Sequence, residues 1–204
     1  MSENQQILAR GAEAILIKQG NNLIKDRIKK SYRLKILDEK LRKSRTKSES
    51  KILEKVSKII AVPKIIETDN KEKIKMQFIE GKRLSDWLDN LKNTDKVCQE
   101  IGKQTAALHD YDIIHGDLTT SNMILSEKEN KVYFIDFGLG FHSKRIEDKA
   151  VDLHLLRQAL EAKHFSNWEK LFNKIIKNYN SKDKTKILEQ LKKVESRGRY
   201  KKNT

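Results

Sequence analysis

One cysteine, one proline and eight glycines are spread over 204 residues. A lone thiol, Cys98, excludes an internal disulfide and a structural zinc site, and suits a reducing interior. No apolar run approaches the roughly 18 residues that span a bilayer. The opening MSENQQILARG shows no cationic stretch followed by an apolar one, so a soluble, cytoplasmic chain with no membrane partner is expected. Aromatics are 6% and hydrophobics 37%, lean but above the composition of a disordered chain. A chain of this length buries roughly 70% of its unfolded surface, enough for a real core in one unit or two small lobes.

Charge is abundant. Charged residues reach 36%, and 44 Lys plus Arg oppose 29 Asp plus Glu, a formal net charge of +15. Such a field concentrates anions: nucleic acid, an acidic partner or a polyphosphate ligand. The bland alternative is a solvated, lysine-rich surface.

The scarcity of Pro and Gly makes each break informative. EAILIK (13–18) and NLIKDRI (22–28) read as strands around a Gln19–Asn22 turn. Ile52, Leu53, Val56, Ile59 and Ile60 mark one face of a helix over 48–60, and Pro63 follows its end. KIIET and KIKMQFI form a second hairpin, closed by Glu80-Gly81. Beyond it the periodicity turns helical over 94–109, with Val97, Cys98, Ile101, Thr105 and Leu108 on one stripe behind Thr94 as N-cap. Residues 111–141 hold short, punctuated apolar segments, and three helical stretches finish the chain. The expected architecture is α+β, with a strand-rich N-terminal lobe over 1–80 and a helical C-terminal lobe over 81–204, joined by residues 80–84.

The densest constellation is His115-Gly116-Asp117-Leu118-Thr119-Thr120-Ser121-Asn122, followed by Ile135-Asp136-Phe137-Gly138. Phosphoryl transfer needs a carboxylate to orient the accepting hydroxyl and oxygen ligands for Mg²⁺. In the kinase pattern H-R-D-x-x-x-x-N the Asp and Asn are five apart, as Asp117 and Asn122 are. Asp136 stands where the metal-binding Asp of D-F-G belongs. A turn rich in capping residues would explain parts of this segment, but not the whole coincidence.

A kinase centre also needs a strand lysine, a helix carboxylate to hold it and a turn over the phosphates. Lys25, in Leu23-Ile24-Lys25, fits the first, with Lys18 as a rival. Glu49 falls on the core-facing stripe of its helix, where a carboxylate is costly unless paired, and Lys25 is the partner expected. Gly11-Ala12-Glu13-Ala14 is a weak phosphate loop, with one glycine where G-x-G-x-x-G has three. The backbone of Gln77 and Ile79 could hydrogen-bond adenine, with Met76 behind and Ile124 as an apolar floor, although ordinary core packing explains these apolar residues equally well.

Taken together, GAEA, LIK, HGDLTTSNMIL, IDFGLGF, EDKAVDL and RGR resemble the small atypical kinase of the KEOPS complex, the Bud-type or PRPK family, over nearly the whole chain. The resemblance implies a minimal, two-lobed protein-kinase-like fold and an ATP- and Mg²⁺-dependent Ser/Thr kinase or ATPase. It implies work beside a threonylcarbamoyl-transfer subunit in an assembly that makes N6-threonylcarbamoyladenosine in tRNA. On it Asp117 is the catalytic Asp, Asn122 and Asp136 are metal ligands, Lys25 and Glu49 are the ion pair, and Asp152 braces the catalytic loop.

His115-Gly116-Asp117 departs from ordinary protein kinases, since it offers no Arg to read a phosphorylated activation loop. Thirteen residues separate Gly138 from Asp152 and no A-P-E follows, so a peptide-docking platform is largely missing. Two other readings compete. A small-molecule phosphotransferase of the aminoglycoside or choline kinase type also carries H-G-D-x-x-x-x-N, but usually lacks D-F-G and has a larger C-terminal lobe. A noncatalytic RNA-binding subunit fits the charge but need not keep Lys25, Asp117, Asn122 and Asp136. The charge itself is localised. Residues 25–47 hold eleven cations against three acids, and residues 182–204 hold nine against three. The second stretch ends in Arg197, Arg199, Lys201 and Lys202, which are expected to contact tRNA.

Overall fold

Alternation of apolar and polar residues near the N-terminus builds the first sheet, in a computed structural model that describes the backbone of residues 5–200 and the side chains of residues 5–197. Strands β1 (Gln5–Arg10), β2 (Ala14–Gln19), β3 (Asn22–Arg27), β4 (Ile65–Thr68) and β5 (Lys73–Gln77) pair antiparallel in the order β1-β2-β3-β5-β4. Gly20, at φ 56°, makes the tight β2–β3 connection, a backbone region open to glycine at little cost. Every residue of β1 is exposed, so it carries no burial pattern, which is why sequence periodicity passes over it.

Helix α1 (Lys35–Val56) lies against β4 and β5. It is longer at its start and shorter at its end than the helix expected over 48–60. The thirteen residues 35–47 carry too few apolar groups to show a face, whereas Ile59 and Ile60 lie beyond the C-cap Ser57. Ile52, Leu53 and Val56 are buried as the stripe required, with Ala14, Val62, Ile74 and Met76. Fully burying each of the Ile, Leu, Val and Met side chains contributes roughly 1.5–3 kcal/mol.

The chain divides into two compact units, residues 1–58 with 62–79 and residues 59–61 with 80–204. In the second, the expected connector 80–84 is itself structured. Strand β6 (Gly81–Arg83) pairs with β8 (Met123–Ser126), which pairs with β9 (Val132–Phe134), and helix α2 (Leu84–Trp87) follows β6 directly. A Cβ on Gly81 would fall 2.2 Å from the Leu125 carbonyl oxygen, so this close strand contact requires glycine.

Helix α3 (Thr94–Asp110) buries Val97, Cys98, Ile101, Thr105 and Leu108 together. Thr94 is not its N-cap. It is the first helical residue, and its hydroxyl donates back to the Leu91 carbonyl at 2.6 Å. Burial pushes the Cys98 thiol up to about 11, leaving it protonated at neutral pH. Helices α4 (Ile146–Lys163), α5 (Trp168–Asn178) and α6 (Lys184–Tyr200) complete the unit, α3 packing on α5 and α4 on α6. Ala106, Ala150, Leu153, Tyr179, Ile187 and Leu191 form the core between them. Strand β7 (Ile113–Ile114) pairs with β10 (Phe141–His142), tying the segment after Gly138 to the base of the His115 loop. Among the described residues no helix is long and apolar enough to cross a membrane.

Candidate active site

In the first unit, alternation along β3 puts Lys25 and Arg27 on one face, turned inward. Lys25 Nζ donates to Glu49 Oε1 at 2.7 Å, the pair that the stripe position of Glu49 required. Arg27, which the sequence reading left out, donates to Glu49 Oε2 at 2.5 Å. Lys18 lies elsewhere, its ammonium 4.4 Å from the centre of the Phe78 ring. At the start of β2, the Gly11 amide donates to the Ala14 carbonyl at 2.9 Å, making a compact turn of the GAEA segment.

The adenine contacts expected on the following strand are narrowed. The Gln77 amide already donates to the Lys64 carbonyl at 2.8 Å, so a hydrogen bond to a base from Gln77 would have to use its carbonyl. Ile79 and Met76 are buried in the first unit. Ile124 is half-buried on β8 of the second.

In the second unit the loop after β7 carries the carboxylate chemistry. The Asn122 side-chain amide donates to Asp117 twice, to the main-chain carbonyl at 2.9 Å and to Oδ2 at 2.8 Å. With Nδ2 committed to two acceptors, Oδ1 is the Asn122 atom that could face a metal ion. The loop is pinned from behind by Asp152. Its carboxylate accepts from the amides of His115 at 2.8 Å and Gly116 at 3.0 Å, and lies 3.3 Å from His109 Nε2, whose other nitrogen meets the Tyr179 hydroxyl at 2.7 Å. The glycine of H-G-D has a steric cause. Gly116 sits at φ +78°, and a Cβ there would fall 2.3 Å from the Leu139 carbonyl oxygen, so no arginine fits at this position of the loop.

His115 is fully buried. Its Nδ1 accepts from the Asp117 amide at 3.3 Å and its Nε2 faces the Ile135 carbonyl at 3.1 Å, which makes Nε2 the protonated nitrogen. Its ring also packs 4.4 Å from that of Phe137, joining the two motifs. Burial lowers its pKa below the ordinary 6.5, against the pull of Asp152 and the Ile135 carbonyl. A depressed folded pKa adds stability that is complete above about pH 6.5 and is lost as pH falls from there through the folded value. Followed by NMR, the His115 ring should therefore titrate below 6.5, with stability declining as pH falls through its titration. A ring that titrates near 6.5 would contradict this.

Asp136 is exposed and adopts φ 60°, uncommon for a non-glycine residue and typical of strained functional positions. Its Oδ1 accepts from the Gly138 amide at 3.2 Å. Among the described residues no cluster of three or more His, Cys, Asp or Glu could hold a metal ion. The donors present still suit Mg²⁺, which takes one or two protein oxygens and completes its shell with water and phosphate.

Further residues escaped the sequence reading. His164 spans Asp89, at 2.8 Å, and the hydroxyl of the loop residue Thr120, at 3.3 Å. Lys149 binds Asp112 at 2.8 Å. A buried histidine far along the chain leaves no local pattern to find.

The basic stretches are partly consumed. Of the eleven cations in 25–47, Lys25, Arg27, Lys30, Arg33, Arg42 and Arg45 are engaged with Glu49, Ala12, Glu13, Asp38 or Glu72. Of the tail, Arg197 lies 3.0 Å from Glu147, whereas the side chain of Arg199 and residues Lys201 and Lys202 lie outside the described residues.

A five-stranded sheet with a helix carboxylate on its β3 lysine, and an H-G-D-x-x-x-x-N loop followed by D-F-G beside a helical bundle, define a minimal kinase-like protein of α+β class. Residues 17–145 match the RIO domain family. The KEOPS complex subunit Bud32 of Pyrococcus abyssi is 46% identical over 186 residues, 87% of this chain and 84% of that protein. The EKC/KEOPS complex subunit bud32 of Dictyostelium discoideum is 39% identical over 190 residues, 88% of this chain and 75% of that one. The chain belongs to the Bud32-type branch of the RIO-domain family. A probable bifunctional tRNA threonylcarbamoyladenosine biosynthesis protein of Methanobrevibacter smithii is 43% identical over 203 residues, and there the chain spans only 36% of the longer protein.

Proposed function

We propose that the chain is an ATP- and Mg²⁺-dependent Ser/Thr kinase or ATPase that works in the cytoplasm as a KEOPS subunit in the N6-threonylcarbamoyladenosine modification of tRNA. The observation that carries the chemistry is the Asn122 amide locking Asp117 in place from five residues away. The names of the relatives support the assembly and the pathway.

In this reading Asp117 orients the accepting hydroxyl, or a water, and takes up its proton. Asn122 Oδ1 and Asp136 hold Mg²⁺, which when bound neutralises charge on the transferring phosphate. Lys25, steadied by Glu49, grips the α and β phosphates under the Gly11 turn. Only short segments separate Gly138 from β10 and β10 from α4, which supports a substrate brought by a partner, the threonylcarbamoyl-transfer subunit among them. The segments around Lys40 and Arg197 would meet tRNA through phosphate contacts.

ATP turnover by the purified chain, alone or with its partner subunits, is expected to vanish on chelation of Mg²⁺ and return on its addition. Turnover indifferent to chelation would overturn the metal assignment. Binding of a tRNA transcript should weaken steeply as salt rises, and an absence of binding at low salt would remove the nucleic-acid role.

A further inference from the structure

Helix α4 holds the catalytic loop at two points. Asp152 grips its start, and His164, the C-cap of the same helix, reaches its far half. The main chain of His164 is fixed on both sides, its amide donating to the Leu160 carbonyl at 2.7 Å and its carbonyl accepting from the Asn167 amide at 2.9 Å. Its ring is buried between Asp89, on the single turn Leu88–Asn90 that follows α2, and Thr120, which is fully buried.

A carboxylate only accepts, so the 2.8 Å contact with Asp89 puts a proton on Nδ1 of His164. In the neutral ring Nε2 is then an acceptor, and the Thr120 hydroxyl, 3.3 Å away, is the donor that faces it. Stability alone gives little reason for this pairing. A buried hydrogen bond replaces bonds to water and contributes little net, and two apolar side chains of similar size would join the same elements with no polar atom to satisfy. What the polar pair adds is direction. With the main chain held and Asp89 on one nitrogen, the ring presents the other to a single point, and the Thr120 hydroxyl is drawn there.

That point matters because of what Thr120 carries. It opens the one-turn helix Thr120–Asn122, and Asn122 closes it. The Asn122 amide donates to the Thr119 carbonyl at 3.0 Å and its carbonyl accepts from the Ile135 amide at 2.9 Å, so the turn moves as a unit. A rotation at Thr120 is passed to the Asn122 side chain, which holds Asp117 through Nδ2.

We propose that His164 is a positioning residue for metal binding. Through Thr120 it sets the turn that carries Asn122, so that Oδ1 keeps its direction while Nδ2 stays on Asp117. The proposal rests on the metal role given to Asn122 above.

The test is binding of Mn²⁺ to the full chain with a non-hydrolysable ATP analogue, followed by electron paramagnetic resonance, beside turnover of ATP as Mg²⁺ is varied. The variants are Thr120→Val, His164→Asn, His164→Gln, Asn122→Ala, and Thr120→Val combined with Asn122→Ala. Thr120→Val keeps the shape and removes the hydroxyl, whereas His164→Asn keeps a donor for Asp89 and is too short to reach Thr120. Both are expected to weaken Mn²⁺ binding about fivefold or more and to raise the Mg²⁺ needed for half-maximal turnover by a like factor, with KM for ATP at saturating Mg²⁺ within about twofold of the parent. His164→Gln, long enough to reach the place of Nε2, should recover Mn²⁺ affinity to within about twofold. Added to Asn122→Ala, Thr120→Val should cause no further loss, because it acts through the same side chain. Should Thr120→Val fail to fold, His164→Asn decides. Mn²⁺ affinity within about twofold of the parent in the deciding variant, whatever its melting temperature, or an additive loss in the double variant, would overturn the proposal while leaving Asn122 in place. Unchanged Mn²⁺ affinity in Asn122→Ala would instead remove the metal reading itself.

Discussion

Asp117→Ala is expected to lower ATP turnover by about a thousandfold or more, with Asp136→Ala equally severe. A reaction with a loose transition state asks little of the protein beyond placing the acceptor and neutralising charge, so loss of one placed carboxylate removes most of what the protein contributes. Stability should hardly change. Asp117 is half-buried, and both hydrogen bonds to it come from one amide, of which the bond to the main-chain carbonyl survives the substitution. Circular dichroism and melting should therefore match the parent while turnover disappears. Full hydrolysis or autophosphorylation by either variant would exclude the assigned roles.

The parts of the fold legible in the sequence are those in which one face is buried and the other wet. Strand β5 and helices α3 to α6 meet that condition, and their stripes carry through to buried residues, whereas β2, β3 and β4 are mostly half-buried and were read from their alternation and turns. What escaped was structure without such contrast: the wholly exposed β1, the charged first half of α1, and β6, β7 and β10, each too short to show a period of two.

The site divides in the same way. Glu49 was readable because a carboxylate on an apolar stripe demands a partner. Asp117 and Asn122 were readable because their spacing has a chemical reason. Arg27 had a signal too, two residues from Lys25 and hence on its face, but it was counted only as charge. His109 meets Asp152 across 43 residues and His164 meets Thr120 of the loop across 44, separations no local pattern reports. The same tertiary pairing reduces the basic stretch at 25–47. Arg42 and Arg33 are drawn to Asp38, whose carboxyl is held below its usual range chiefly by the Arg42 hydrogen bond. Lys29, Lys35, Lys40, Lys43 and Lys47 are the cations of that segment on which the proposed contact with tRNA would draw.

The largest loss of stability is expected from Asp152→Ala. Its two oxygens satisfy the amides of His115 and Gly116, and beside them stands His109, fixed in turn by Tyr179. Alanine leaves both amides without an acceptor and opens a cavity the size of a carboxylate, which together cost about 3–5 kcal/mol. For a chain of this size the melting temperature should fall by roughly 10 °C or more. Asp152→Asn should lie between parent and alanine, since its carbonyl oxygen can take one amide while its NH₂ confronts the other. Turnover should fall in the same order, because the backbone that presents Asp117 is the backbone released. An alanine variant within about 1 kcal/mol of the parent in urea unfolding would show that the loop holds its shape without Asp152, and that Gly116 and the His115 ring suffice.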